Sequence, residues 1–175
     1  MTDQQYDVAA LGNAIVDVIA SVDDRFLLTH GIAKGGMTLI DEFRATELLK
    51  ALTGALHQVA GGSAANSMAG LASLGGKGLF LGKVSDDRLG KVFADSMLAT
   101  GVTFHNGVSK TNASTASSVI AVTPDGQRSM NTFLGACREM VPEDVEEKQI
   151  ARARILYIEG YLWDEDKAKQ ASRKA

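Results

Sequence analysis

Asn13 and Asp17, in the run Gly12-Asn13-Ala14-Ile15-Val16-Asp17, are the side chains in this sequence best suited to reading hydroxyl groups. A carboxylate accepts from two neighbouring hydroxyls at once, and an amide offers a donor and an acceptor together. In an extended segment Asn13, Ile15 and Asp17 point to one side, and Ala14, Val16 and Val18 to the other. Two polar groups on one face need partners if they are buried. A turn shaped by Asn13 and an internal partner for Asp17 would also account for them. A second cluster, Gly61-Gly62-Ser63-Ala64-Ala65-Asn66, brings another amide to the mouth of a helix. Its two glycines permit a tight turn and close approach to a ligand. Ser63 suits the N-cap of a helix in which Met68, Leu71, Ala72 and Leu74 recur before Gly75-Gly76. Asn66 then lies on the first turn beside free backbone N–H groups, where it can face a polyhydroxylated ligand. Taken alone, a glycine-rich turn before an ordinary packed helix explains the same residues.

Other chemistry-bearing groups are less specific. In Gly82-Lys83-Val84-Ser85-Asp86-Asp87-Arg88-Leu89-Gly90 the two aspartates fit helix N-caps better than a metal site, because no third ligand lies nearby. Neither Gly75-Gly76-Lys77-Gly78 nor Gly82-Lys83-Val84 has the spacing or hydroxyl of a phosphate loop. No glycine run matches the dinucleotide fingerprint. His30, His57 and His105 lie far apart without a ligand pattern. The single cysteine, Cys137, rules out an intrachain disulfide framework and reads as a small buried hydrophobe in a reducing cytoplasm. A net charge of −3 with scattered Lys and Arg gives no case for nucleic acid or an anionic membrane. The chain has 175 residues, 45% hydrophobic and 22% charged, enough for one domain with a real core. Its N-terminus is polar and no apolar run is long enough to span a bilayer, so a cytoplasmic location is expected.

The elements that must position these residues follow from pattern. Residues 6–12 read as a buried strand ending in glycine, and 14–20 as a second extended run. Asp23-Asp24 open a short helix through Leu28, and Gly35-Gly36 precede a short strand from Met37 to Ile40. Residues 44–56 place Leu48, Leu49, Leu52 and Leu56 on one helical stripe. The helix after Gly62 is followed by the strand Leu79–Val84, then by an amphipathic helix carrying Leu89, Val92, Phe93, Met97 and Leu98 up to Gly101. Strands at 115–122 and 127–133 flank Thr123-Pro124-Asp125-Gly126, a strong hairpin signal. A helix from Pro142 to Ala151, the strand Ile155–Ile158 and a charged helix from Asp164 complete the pattern. Strands alternating with helices predict a mostly parallel α/β sheet, with the runs at 14–20, 36–41 and 113–133 forming a small β-layer over it.

Five motifs in register, Gly12-Asn13…Asp17, Gly61-Gly62…Asn66, Gly82-Lys83-Val84-x-Asp86-Asp87-x-x-Gly90, Thr123-Pro124-Asp125-Gly126 and Glu159-Gly160-Tyr161, resemble the ribokinase-like (PfkB) carbohydrate kinases from about residue 6 to 165. Within that family the adenosine kinase branch is the most similar. The resemblance implies a three-layer α/β/α fold with a small β-sheet lid, represented by its N-terminal part, and a nucleoside or sugar held between lid and core. It implies that Asp17 binds sugar hydroxyls with help from Asn13, Gly61, Gly62, Ser63 and Asn66. Met37, Leu39, Ser118 and Tyr161 would line the base or sugar pocket, and Arg128 would approach the phosphate. It also implies ATP and Mg2+ as cofactors, and a homodimer through the lid edge.

There are two departures from the family pattern: Ser114-Thr115-Ala116 stands at the lid entry where Pro-Thr-Gly is usual, and Ser85 stands where glycine is usual. The family's Gly-Ala-Gly-Asp motif, with its catalytic aspartate, and its Asn-x-x-Glu metal motif do not occur in these 175 residues. The expected reading is therefore the acceptor-binding half of an ATP-dependent kinase, with no catalytic base and no metal ligand of its own. A non-catalytic sugar- or nucleoside-binding fragment, or half of a split protein, is the alternative.

Overall fold

The computed structural model describes residues 5–109 and 111–175. Among the described residues nine strands form two sheets. The first contains β1 (Tyr6–Leu11), β5 (Gly78–Val84), β6 (Thr103–Val108) and β9 (Ala153–Ile158), in the order β6-β5-β1-β9. All its pairings are parallel. The side-chain period of two sorts its residues onto two faces. Ala10, Phe80 and Phe104 pack towards α3 (Ser63–Ser73) and α4 (Arg88–Ala99) on one side. Ala9, Leu11, Leu79 and Leu81 pack with Ala168 and Ala171 of α6 (Asp166–Lys174) on the other. Every residue of β5 is buried, as expected of an interior parallel strand. This is the three-layer α/β/α arrangement.

The second sheet is mixed, in the order β3-β8-β7-β2-β4, with β2 (Ile15–Ser21), β3 (Met37–Leu39), β4 (His57–Gly61), β7 (Ala116–Val122) and β8 (Arg128–Phe133). One face, carrying Ala20, Val119 and Ala121, closes over Leu27 of α1 (Asp24–Thr29) and Leu48 of α2 (Glu42–Ala51). The hairpin between β7 and β8 turns at Thr123–Gly126, as its composition predicts, with Gly126 at φ 81°. The Thr123 hydroxyl donates to Asp125 at 2.6 Å, and Lys34 pairs with the same carboxylate at 2.8 Å. Those bonds hold the Asp125 carboxyl down at about 2.

Four readings of the sequence need correction. The helix expected over 44–56 ends at Ala51, because Leu52 turns extended and Gly54 adopts φ 99°. The chain then enters β4, a strand the leucine stripe concealed; Leu48 and Leu52 do reach the core, whereas Leu56 is exposed. Strand β6 was also missed, since Thr-Phe-His-Asn-Gly-Val shows neither alternation nor an apolar run. Pro142–Ala151 is not one helix. A 3-10 turn at Pro142–Asp144 is separated from α5 (Glu147–Ile150) by extended Val145 and Glu146, because Val145 inserts into the core. Finally, Ser63 is not the N-cap. Gly62 takes that position at φ 94°, outside the reach of most L-residues, and the Ser63 hydroxyl is engaged elsewhere.

Candidate active site

The carboxyl ends of β1, β5 and β9 point to one edge of the parallel sheet, the usual position of ligands in open α/β folds. There β1 runs through Gly12 and Asn13 into β2, and β4 runs through Gly61 and Gly62 into α3. These two connections touch. A Cβ on Gly62 would lie 2.6 Å from the Asn13 carbonyl oxygen, and one on Gly61 would overlap the Asp17 carboxyl group. Both glycines are required by close approach.

Strand register places Asp17, Ser118, Met37, Leu39 and Arg128, five of the residues predicted from sequence, on one face of the second sheet. Val59, Asp17, Ser118, Thr132 and Leu39 are successive cross-strand partners in a single row. His57, Ile19, Ile120, Met130 and Met37 form the next row. Asp17 thus begins a polar stretch, continued by the Ser118 and Thr132 hydroxyls 2.9 Å apart, beside a flank of Met37, Leu39, Ile19 and Met130. Met37 and Leu39 are exposed, at 56% and 60%. Arg128 opens β8 on the same face. The Asp17 carboxyl titrates above the ordinary range because burial disfavours its charge, and the Arg128 charge offsets part of that rise. Among the described residues no donor hydrogen-bonds the Asp17 carboxylate.

The remaining residues divide. Asn13 is buried and lines a cavity of about 160 Å³ with Leu39, Arg138, Tyr161 and Asp164. Asn66 is exposed on the first turn of α3, and its backbone N–H donates to Gly62. Ser63 donates its hydroxyl to Glu159 at 2.6 Å, which leaves it bound within the protein. A larger concavity, about 420 Å³ and lined by Val22, Phe26, Leu52 and Pro124, lies far along the second sheet. Its one carboxylate, Asp23, caps α1, so the chemistry does not follow the larger volume.

Three arrangements were not read from sequence. Glu159, 3% exposed, accepts from the Asn13 N–H at 2.6 Å, the Ala64 N–H at 3.1 Å and the Ser63 hydroxyl. Lys83, also buried, donates to Asp144 at 2.7 Å and to the Glu139 carbonyl at 2.9 Å, a structural tie in place of a phosphate contact. Asp87 caps α4 through the Gly90 N–H, as its place in the sequence predicts; what the sequence did not show is that it also accepts from the Thr115 N–H and hydroxyl at 2.8 and 2.7 Å. The Thr115 hydroxyl in turn accepts from the Ser85 N–H, and the Ser85 hydroxyl donates to the Ala113 carbonyl. The two departures at Ser85 and Ser114–Ala116 therefore meet at the root of β7. An acidic residue directly after an apolar strand, as in Ile158-Glu159, was the available signal for the first arrangement.

The chain's residues 29–173 match the family model described as pfkB family carbohydrate kinase. It belongs to that family. A solved adenosine kinase from Sinorhizobium meliloti is 51% identical with a TM-score of 0.84, over 97% of this chain and 52% of that one. A probable sugar kinase from Rhizobium etli CFN 42 is 48% identical with a TM-score of 0.83, over 98% and 51%. The 5-dehydro-2-deoxygluconokinase of Halalkalibacterium halodurans is 25% identical over 99% of this chain and 46% of its own length. The chain spans about half the length of these relatives, and less of the curated fructokinases it matches, such as probable fructokinase-7 of Arabidopsis thaliana at 31% of its length. Among the described residues no three His, Cys, Asp or Glu side chains cluster to hold a metal ion. No helix among them is long and apolar enough to cross a membrane.

Proposed function

We propose that this chain forms the acceptor-binding part of an ATP-dependent kinase that phosphorylates a primary hydroxyl of a nucleoside or sugar, with adenosine the leading candidate. The observation that carries the reading is the Asp17 carboxylate: half-buried, without a donor among the described residues, and set against Gly61 on the face that also holds Ser118, Leu39 and Met37. Such a group gains most from two vicinal hydroxyls, which supply the donors the protein withholds. The amides of Asn13 and Asn66 would complete the polyol contacts, and the apolar flank with Tyr161 would face a base. Arg128 would meet an incoming phosphate. The names of the Sinorhizobium and Rhizobium structures agree with a nucleoside or sugar acceptor. The buried Cys137 thiol suits a reducing, cytoplasmic setting. Pairing of two copies through the exposed edge strand β3 belongs to the same reading, and sedimentation with and without Leu39→Lys tests it.

Calorimetric titration with adenosine, ribose and fructose tests the proposal. Binding of adenosine more tightly than either sugar is expected; no binding of any of the three contradicts it. A second reading, binding without phosphoryl transfer, is favoured by the lack of a Gly-Ala-Gly-Asp motif in these residues. Phosphoryl transfer needs a base and charge stabilisation at the moving group. The same material, given ATP, Mg2+ and adenosine, should then show binding with no AMP formed.

A further inference from the structure

We infer that Glu159 is a positioning residue whose carboxylate sets the geometry of the acceptor site from behind, an inference that rests on the site proposed above. Glu159 follows β9, lies outside the row of Asp17, Ser118 and Thr132 on the second sheet, and is nearly inaccessible. Its two oxygens divide the work. Oε1 accepts from the Asn13 N–H, which fixes the junction of β1 and β2. Oε2 accepts from the Ala64 N–H and the Ser63 hydroxyl, which fixes the start of α3. The charge sits at that helix's N-terminus, where free N–H groups and the dipole favour an anion. Gly12 makes room: a Cβ there would lie 3.0 Å from the carboxyl group and 2.6 Å from the Ala64 Cβ.

From this clamp the constraint runs in two packed steps. The Asn13 carbonyl abuts Gly62, and Gly61 abuts the Asp17 carboxyl. One buried carboxylate thereby holds the backbone on both sides of Asp17. A glutamine cannot replace it. Whichever way the amide is turned, its NH2 group faces either the Asn13 N–H or the Ala64 N–H, donor against donor. One of the two connections must be released.

The test compares Glu159→Gln with the unmodified chain at a temperature where both are fully folded. Adenosine and ribose affinities should fall together, by about tenfold, because the clamp acts through the ribose-facing residues and not through the base-facing flank. The Asn13 and Ala64 amide proton resonances should lie downfield in the unmodified chain and move upfield in the variant. Should Glu159→Gln fail to fold, Ser63→Ala removes one donor and keeps both backbone bonds. It should weaken both ligands by about two- to fivefold. Unchanged affinity in a folded variant, which a purely structural role would give, overturns the inference. So does an Asn13 amide that resonates and exchanges as an exposed one. If the unmodified chain binds neither ligand, the site reading fails, and the amide shifts still decide whether the clamp exists.

Discussion

Two carboxylates lie on either side of the contact between Asn13 and Gly62, and they are treated in opposite ways. Glu159 is almost wholly buried and saturated, with two backbone amides and a hydroxyl on its oxygens. Asp17 is only half-buried, yet no described donor reaches it and burial pushes its pKa up. A desolvated charge left unpaired costs stability, whereas the same charge given donors becomes a fixed point of the fold. The difference separates scaffold from site. The satisfied group stabilises, and the unsatisfied one is the group that the proposed function assigns to a ligand.

The largest effect that could break this comparison is on affinity. Asp17→Ala should cost about 2–3 kcal/mol of adenosine binding, the worth of a charge-assisted contact to two hydroxyls, as read by calorimetry. Next, the two carboxylates should affect stability with opposite signs. Glu159→Gln strands a buried N–H and should lower Tm by roughly 3–9 °C. Asp17→Asn removes a desolvated charge and should raise Tm at neutral pH by roughly 1–3 °C, read in the same thermal scan. The sign follows from linkage. A raised folded pKa means the folded chain holds the Asp17 proton more tightly, so the destabilisation is absent in acid and appears as pH rises through that pKa. The Asp17→Asn gain should therefore vanish as the pH approaches about 4. Asn66→Ala, a neutral amide on an exposed turn, should cost about 1 kcal/mol of affinity. A sharp fall in its Tm with affinity intact would instead make the Gly-Gly-Ser-x-x-Asn turn structural. The smallest effect concerns Cys137, whose thiol is pushed up to about 12 by burial first and the Glu159 charge second. It should resist thiol reagents at neutral pH, and somewhat less so in Glu159→Gln.

Much of the site was legible because its signals are local. The alternation through Asn13, Ile15 and Asp17 puts the polar residues on one strand face, and the structure shows Ala14, Val16 and Val18 fully buried on the other. The hairpin turn and the Asp87 cap are likewise local chemistry. What was not legible depends on distant partners. Strand β4 has no pattern of its own, because it is an edge strand held in the sheet by pairing with β2. Ser63 has the right type for an N-cap, but Glu159, from the far end of the chain, takes its hydroxyl and leaves the cap to Gly62. The single row from Asp17 through Ser118 and Thr132 to Leu39 joins four strands, and no sequence window contains it.

The most direct measurement is the titration of the Asp17 side-chain carboxyl by carbon-detected NMR, without and with saturating adenosine. The account predicts a pKa above the ordinary aspartate range in the free chain, falling when adenosine binds, because two hydroxyl donors stabilise the charged form. An Asp17 resonance that titrates in the ordinary range, or that does not respond to bound adenosine, would contradict it.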